Sequence, residues 1–112
     1  MRALFADVAK ETDGELAALA RDCLEATEWM VGASLDDRLA GSVPFLTMAA
    51  TAVAGWQLQR EAAMASGALA VTKPVVARYF AEHLAPEARG LKRAALAGAG
   101  LLYALDAEAL AG

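Results

Sequence analysis

The chain has 112 residues, of which 58% are hydrophobic and only three are proline, a length that suits one domain with a single core. Its net charge of −4 argues against non-specific nucleic-acid binding. Its single cysteine, Cys23, excludes an intramolecular disulfide and fits a reducing compartment, so we expect a cytoplasmic protein. Alanine fills thirty positions while β-branched and aromatic residues are sparse, which excludes a sandwich or barrel and predicts an all-α fold.

The first predicted elements are a short N-terminal arm and a long amphipathic helix. Residues 1–12 place Leu4, Phe5 and Val8 on one side of a short helix, which indicates the tail of a helix or a docking arm, and residues 13–112 then form the bundle domain. Asp13 is a suitable N-cap for the first bundle helix, which is expected to end near Gly32. Apolar residues recur along it at steps of three and four, which predicts one face against a core: Leu16, Leu19, Ala20, Cys23, Leu24, Thr27, Met30 and Val31. The charged side chains of this helix are expected mainly on its other faces: Glu15, Arg21, Asp22, Glu25 and Glu28.

The second bundle helix is the most apolar segment of the chain. Asp36 and Asp37 place negative charge where a helix N-terminus favours it, and Pro44 is expected to restart or kink the helix. From Pro44 to about Met64 the sequence is apolar on almost every side. A helix that is apolar on every face is buried on every face, so we expect it to be central to the bundle or covered by something outside this chain.

The same region contains an uncharged stretch that has the length of a membrane span. It runs from Leu39 to Gln59, but polar residues interrupt it throughout, whereas a span needs roughly 20 mostly apolar residues. The sequence therefore favours a buried bundle helix over a membrane span. Met1–Lys10 also lacks the apolar run and the cleavage site that are typical of a signal peptide.

Two further helices are expected after a turn at Ser66-Gly67. Thr72 is the predicted cap of the third helix, with Pro74 in its first turn, and Pro86 is expected to kink or break that helix. Its predicted apolar stripe comprises Val76, Tyr79, Phe80, His83 and Leu84. The last helix, with the fold ending at Asp106, is predicted to present a narrow seam for antiparallel packing: Leu91, Ala95, Gly98, Leu102 and Leu105. These elements predict an up-and-down bundle of about four helices with a short N-terminal arm.

Three short motifs follow one another along the chain. They read Val43-Pro44-Phe45-Leu46, Val53-Ala54-Gly55-Trp56 and Ala77–Pro86. They resemble V-P-Y/F-L, A-G-G-W and A-R-F/Y-F/Y-A-E-H-L-x-P, with Ala54 in place of the first glycine of the second motif. These motifs are typical of the C-terminal helical domain of bacterial acyl-CoA dehydrogenase-like flavoenzymes, in the branch that includes the methylthiopropionyl-CoA dehydrogenases. The resemblance covers roughly residues 14–106. Leu4–Val8 also resembles the segment with which such an enzyme enters this domain, which implies that the arm at residues 1–12 is the end of a preceding domain.

The resemblance implies a domain without chemistry of its own. In that family the upstream body binds FAD and acyl-CoA, and a glutamate in the body removes the α-proton; none of those residues is in this chain. We therefore expect no catalytic, cofactor-binding or metal-binding residue here. The implied function is that of a non-catalytic accessory domain of a bacterial, FAD-dependent acyl-CoA dehydrogenase-like oxidoreductase of fatty acid metabolism. Such a domain would pack on the dehydrogenase body, at a subunit interface or over the active-site entrance.

The only histidine, His83, has two interpretations. A histidine near a carboxylate can act as a general base, but side chains adjacent in a helix point about 100° apart, so Glu82 does not orient it. We favour a histidine that faces the core or an interface and bonds a backbone carbonyl across the bundle. A lone histidine without Cys or His partners also makes no convincing zinc site.

Positive charge is concentrated in the C-terminal part of the chain. Residues 71–112 carry five basic and four acidic groups, whereas residues 1–70 carry five basic and ten acidic groups. The basic side chains could attract CoA phosphates or an acidic face of a parent enzyme, but a solvated helix face is the favoured interpretation. The residues concerned are Lys73, Arg78, Arg89, Lys92 and Arg93.

Trp29 and Trp56 are interpreted as core or interface anchors rather than as platforms that stack on adenine. Cys23 lies on the apolar stripe of its helix and is expected to be an inert core thiol. The methionines Met30, Met48 and Met64 are expected to fill gaps in the packing.

Two other classes of function stay open. The chain could be a stand-alone helical interaction module that forms a homo-oligomer through the Leu91–Leu105 seam and exposed parts of the Pro44 helix. It could also be a small acyl or CoA binder that uses the basic C-terminal part, which the sequence favours least.

Overall fold

The computed structural model describes all 112 residues as an all-α bundle without a β-strand, which confirms the predicted fold class. Short turns join successive long helices, which therefore run antiparallel to one another. The α-helices are α1 (Arg2–Glu11), α2 (Gly14–Gly32), α3 (Leu35–Met64), α4 (Leu69–Tyr79), α5 (Ala85–Arg89), α6 (Lys92–Ala95) and α7 (Ala107–Ala111). A π-helical turn, Phe80–Leu84, joins α4 to α5, and a 3₁₀ turn, Gly100–Tyr103, precedes α7.

The core lies where α1, α2 and α3 meet, and α5 and α6 close it. Phe5 of α1 packs edge-on against Phe45 of α3, with the ring centroids 6.2 Å apart. The largest fully buried side chains are Phe5, Val8, Leu16, Leu19, Cys23 and Met48. The predicted stripe of α2 is therefore confirmed in its first half, whereas Val31 at the end of the helix is exposed.

Pro44 does not interrupt α3. The helix begins after Ser34, whose hydroxyl accepts a hydrogen bond from the Asp37 amide at 3.2 Å, and it continues for 30 residues. The predicted restart at Pro44 is therefore wrong. Gly41 and Phe45 are buried on either side of the proline, so both parts of the helix are held against one core. This packing outweighs the single backbone hydrogen bond that proline cannot make.

α3 is buried along one stripe only. The residues that face the core are Gly41, Phe45, Met48, Ala49, Ala52 and Gly55. Another side of the helix carries Leu35, Leu39, Val43 and Leu46, which follow one another at steps of four, four and three residues and are between 61% and 72% exposed. We call these four residues the α3 stripe. The prediction that the chain itself buries this helix on every face is therefore wrong, and a cover from outside the chain is the alternative that stays open.

α4 begins three residues before its predicted cap, at Leu69. Thr72 lies inside the helix, where its hydroxyl donates to the Ala68 carbonyl, so the prediction that it caps the helix is wrong. Gly67 has a φ of 62°, a left-handed conformation that glycine adopts without strain. The glycine turn therefore ends the connection from α3, and α4 starts directly after it.

The buried stripe of the α4–α5 segment is displaced from the predicted one. Its buried residues are alanines: Ala77, Ala85 and Ala88. Of the predicted stripe, Phe80 is half-buried and the other members are exposed: Val76, Tyr79, His83 and Leu84. Because alanines allow helices to approach closely, the segment packs through its small residues and leaves the large ones outside.

The π-helical turn explains why Pro86 does not break the helix. The Ala85 amide donates to the Phe80 carbonyl, five residues earlier. Pro86 then lies in the first turn of α5, where a missing amide costs little. The chain therefore stays helical from Leu69 to Arg89, and the predicted break at Pro86 is wrong.

The predicted last helix does not form. α6 ends at Ala95, and Gly98 has a φ of 73°. The Ala99 amide donates to the Asp37 carboxylate at 2.8 Å, which fixes this turn at the start of α3. The seam predicted from Leu91 to Leu105 is therefore absent as one helical face.

Residues 100–112 form a C-terminal arm, all of whose residues are exposed. It contains the 3₁₀ turn and α7. The tail that follows Asp106 is helical, because the Asp106 carboxylate caps α7 by accepting a hydrogen bond from the Ala109 amide at 2.7 Å. The arm thus has defined helical turns but makes no contribution to the core.

Candidate interaction surface

A shallow apolar groove of about 200 Å³ runs between α3 and the α4–α5 segment. Thr47 and Thr51 form its α3 side, and each hydroxyl bonds a carbonyl of its own helix, which leaves the methyl groups for contact. The opposite side carries larger apolar groups. We define the groove face as the groove residues Thr47, Thr51, Phe80, Leu84 and Leu91 together with Val76 and Tyr79, which are exposed on the turn of α4 directly before Phe80.

A pair of stacked rings lies on the same helical segment, next to Phe80 and Leu84. The rings of Tyr79 and His83 have centroids 4.6 Å apart and are inclined at 34°. His83 is exposed, so the prediction of a core-facing histidine that bonds a carbonyl across the bundle is wrong. Glu82 is held by Arg78 at 2.7 Å and does not orient the imidazole. The pair therefore offers an aromatic contact surface with polar edges.

An ion-pair network joins α5, which carries part of the groove lining, to α2. The Arg89 guanidinium contacts Asp22 at 2.8 Å and Glu15 at 3.1 Å. The Lys92 ammonium bridges Asp22, at 3.5 Å, and Glu25. The hydrogen bonds that Arg89 donates to Asp22 and Glu15 raise its pKa, and the hydrogen bond that Lys92 donates to Glu25 is the main cause that raises the pKa of Lys92. The network ties the α5–α6 region to α2.

The network also changes the interpretation of the basic residues. Lys73 contacts Glu61 at 3.1 Å, and Arg78 contacts Glu82 within its own helix. With Arg89 and Lys92 engaged on α2, four of the five basic groups of the C-terminal part have acidic partners within the chain. These groups are therefore less free to attract phosphates than a solvated basic face would be.

Sequence reasoning placed Asp22 on a solvated side of α2, but only 7% of this residue is exposed. Asp22 follows Leu19 by three residues and precedes Ala26 by four, so it lies on the apolar stripe. A charge in that position must be paired, because an unpaired buried carboxylate is costly. The position of Asp22 on the apolar stripe was therefore the feature of the sequence from which the ion-pair network could have been predicted.

Comparison with known protein families gives a match over most of the chain. The family described as acetyl-CoA dehydrogenase C-terminal like matches residues 1–106. The chain belongs to this family. No curated protein and no solved structure matches the chain.

The motifs of this acetyl-CoA dehydrogenase C-terminal-like domain have clear packing roles. Phe45 of the first motif is in the core. At Gly55 of the second motif, a β-carbon would lie 2.7 Å from a methyl group of Leu16 and 3.1 Å from the ring of Phe80. Gly55 therefore allows α2 and the π-helical turn to approach α3. The third motif contains that turn and the buried Ala77.

Trp56 of the second motif links the domain's first and third helices. Its indole donates to Glu11, and the Arg60 guanidinium lies 4.9 Å from the ring centroid. The tryptophan is half-buried, which supports its interpretation as an anchor between elements. Cys23 is fully buried, as expected for a core thiol; burial, with a contribution from the charge of Asp22, raises its pKa to about 12. Met48 fills the core, whereas Met64 is exposed, so the gap-filling prediction is wrong for Met64.

A second cleft, of about 480 Å³, lies between the start of α2 and the facing parts of α3 and α4. Its polar lining includes the carboxylates of Asp13, Glu15 and Glu82, with Arg78 as its only basic group. No group of three or more His, Cys, Asp or Glu side chains is arranged to hold a metal ion. The cleft is therefore unsuited to an anionic ligand, since three carboxylates face one guanidinium.

α3 is long and apolar enough to cross a membrane by length and composition alone. In the domain, α3 packs against α2, α4, α5 and α6, and 28% of its most apolar window is buried. The helix is thus a shared wall of the bundle with one uncovered side.

Proposed function

We propose that this chain is a non-catalytic accessory domain of a bacterial, FAD-dependent acyl-CoA dehydrogenase-like oxidoreductase that acts in fatty acid metabolism in the cytoplasm. Its groove face would pack on the dehydrogenase body, at a subunit interface or beside the active-site entrance. The family supports a dehydrogenase parent. The single, buried thiol of Cys23 supports a reducing compartment.

The observation that carries the proposal is the amount of large apolar surface that the domain leaves uncovered. Only 20 of its 112 residues are buried, while nineteen large hydrophobic side chains are exposed. Monomeric soluble proteins rarely expose contiguous apolar patches larger than a few hundred Å². The groove face joins apolar and aromatic groups from α3 and from the α4–α5 segment, and the ion-pair network ties the α5 end of that segment to α2, which favours a preformed contact surface.

FAD does not fit this chain. The larger cleft presents the carboxylates of Asp13, Glu15 and Glu82, which would repel the diphosphate of FAD, and the groove of about 200 Å³ is lined mainly by apolar groups and Glu87. In the proposal, therefore, FAD and acyl-CoA bind to the dehydrogenase body. This domain contributes packing surface to that body.

The proposal can be tested by adding the chain to a dehydrogenase body that lacks it. We expect the wild-type chain to co-sediment with the body, raise its melting temperature and restore turnover of an acyl-CoA. The double variant Val76→Asp with Tyr79→Asp places charges on the groove face and is expected to lose all three effects. Both positions are exposed, so the variant should keep its own fold.

Ala6→Asp is the matched control, because Ala6 is exposed on α1, away from the groove. It should behave as the wild-type chain does. Unchanged stability, assembly and turnover after addition of the wild-type chain would contradict the proposal. Equal behaviour of the groove-face variant and the control would show that another surface is used.

A further inference from the structure

We infer that the domain self-associates by exchange of its C-terminal arms: the arm of each copy packs on the α3 stripe of the other. This inference concerns a different surface from the groove face and does not depend on a dehydrogenase body. The occupant of the α3 stripe is a second copy of this chain.

The C-terminal arm is apolar and packs against no other part of the chain. Five of its large side chains are between 59% and 89% exposed: Leu101, Leu102, Tyr103, Leu105 and Leu110. The arm nevertheless contains ordered turns, because Asp106 caps α7. A preformed helical segment loses less conformational entropy when it binds than a disordered one does.

The position at which the arm leaves the bundle favours its exchange between two copies. The Ala99 amide is bonded to Asp37, so the arm leaves the bundle at the same end of α3 where the stripe begins with Leu35. Two copies that meet at these ends can therefore place each arm beside the other's stripe. Such an exchange has twofold symmetry and closes on itself.

The area is sufficient for a stable dimer. Each copy would bury its five arm side chains and the four side chains of the α3 stripe. Burial of these nine groups in both copies is on the order of the 1,200–2,000 Å² that a specific interface covers. Interfaces of this size commonly bind with micromolar or tighter affinity.

Sedimentation of the full chain over a range of concentrations tests the inference. We expect a dimer of twice the 11.6 kDa chain mass. Leu102→Asp in the arm and Leu39→Asp in the stripe should each weaken dimerisation at least tenfold. Val71→Asp is the matched control, because Val71 is 75% exposed on α4, which begins at the opposite end of α3 from the stripe, and it should leave the dimer intact.

A mixing experiment separates arm exchange from other modes of dimerisation. The Leu39→Asp chain keeps an intact arm, and the Leu102→Asp chain keeps an intact stripe. An equimolar mixture should therefore form more dimer than either variant alone, because one arm–stripe contact is restored. Circular dichroism of each variant checks that the helices are retained.

Two results would overturn the inference. One is a wild-type chain that remains monomeric at about 100 µM, because an interface of this size is expected to have a dissociation constant well below that concentration. This holds whether the arm of the monomer is free or folded onto its own stripe. The other is a dimer that both variants leave unchanged. Neither result bears on docking through the groove face, which the experiment with the dehydrogenase body tests separately.

Discussion

Gly41 lies where α3 and α6 approach each other closely. A β-carbon at this position would overlap the Ala95 carbonyl oxygen and lie 3.0 Å from the Ala95 carbonyl carbon. Both are backbone atoms, so relief requires α6 to move away from α3. The glycine therefore determines how closely α6, and the turn that leads to the arm, can pack.

We predict that Gly41→Ala lowers the free energy of unfolding by about 1–3 kcal/mol, the usual cost of overpacking, despite the better helix propensity of alanine. Gly32→Ala is the control, because Gly32 ends α2 and a β-carbon there meets nothing within 4 Å. Urea unfolding of both variants measures the difference. Equal midpoints for Gly41→Ala and the wild type would mean that α6 does not pack on α3 as described.

Cys23 gives a prediction that depends on pH. Its pKa is raised from 9.0 to about 12 in the folded chain, so the folded state keeps the thiol proton that the unfolded state loses above pH 9. The unfolded state then binds fewer protons, and stability falls as the pH rises from about 9 to about 12. The slope from this group is at most about 1.4 kcal/mol per pH unit.

The comparison of wild type with Cys23→Ala isolates this contribution, because all other titrating groups are shared. We expect the stability of the wild type to fall more steeply than that of the variant across this pH range. Parallel curves would contradict the burial of the thiol. At pH 8 a thiol reagent should label Cys23 only after urea is added.

At the scale of the elements, Asp22 joins α2 to α5 and α6. Asp22→Asn removes the charge that Arg89 and Lys92 share and is predicted to cost about 1–3 kcal/mol, the penalty for leaving a buried group without its partner. Glu28→Gln is the control on the same helix, since its ion pair with Arg2 is exposed and worth at most about 1 kcal/mol. Chemical denaturation measures both, and similar losses would argue against a special role for Asp22.

Helix type and approximate extent could be predicted wherever apolar periodicity was strong. The end of α2 near Gly32 and the glycine turn at Gly67 followed from local chemistry. The effects of Pro44 and Pro86 did not, because tertiary packing keeps α3 continuous and a π-helical turn accommodates Pro86. Proline predicts a lost hydrogen bond, and only the surrounding contacts determine whether a helix ends there.

The packing faces were harder to predict than the helices. Large apolar residues suggested the stripe that includes Val76 and Tyr79, yet the helix packs through Ala77, Ala85 and Ala88. Composition cannot distinguish a large residue that fills the core from one kept outside for a partner. Gly98, whose left-handed conformation interrupts the predicted last helix, lies in a run of small residues. In such a run the periodicity of apolar residues carries little information about where a helix ends.

At the scale of the whole molecule, the domain is long and thin, 64 × 30 × 17 Å. Its radius of gyration of 17.4 Å exceeds the roughly 13 Å expected of a compact domain of about this length. A flat shape with few buried residues gives a large contact area for its mass. This shape suits a domain that is stabilised by what it packs against.

The most direct test of the account is hydroxyl-radical footprinting of the chain, alone and with a dehydrogenase body that lacks it. The account predicts that modification of Tyr79 and Leu84 on the groove face falls several-fold when the body is added. Val31, which is exposed on α2 away from the groove, should be modified equally in both samples. Unchanged modification of Tyr79 and Leu84 under conditions where the body is folded would contradict the claim that this domain supplies packing surface to a dehydrogenase.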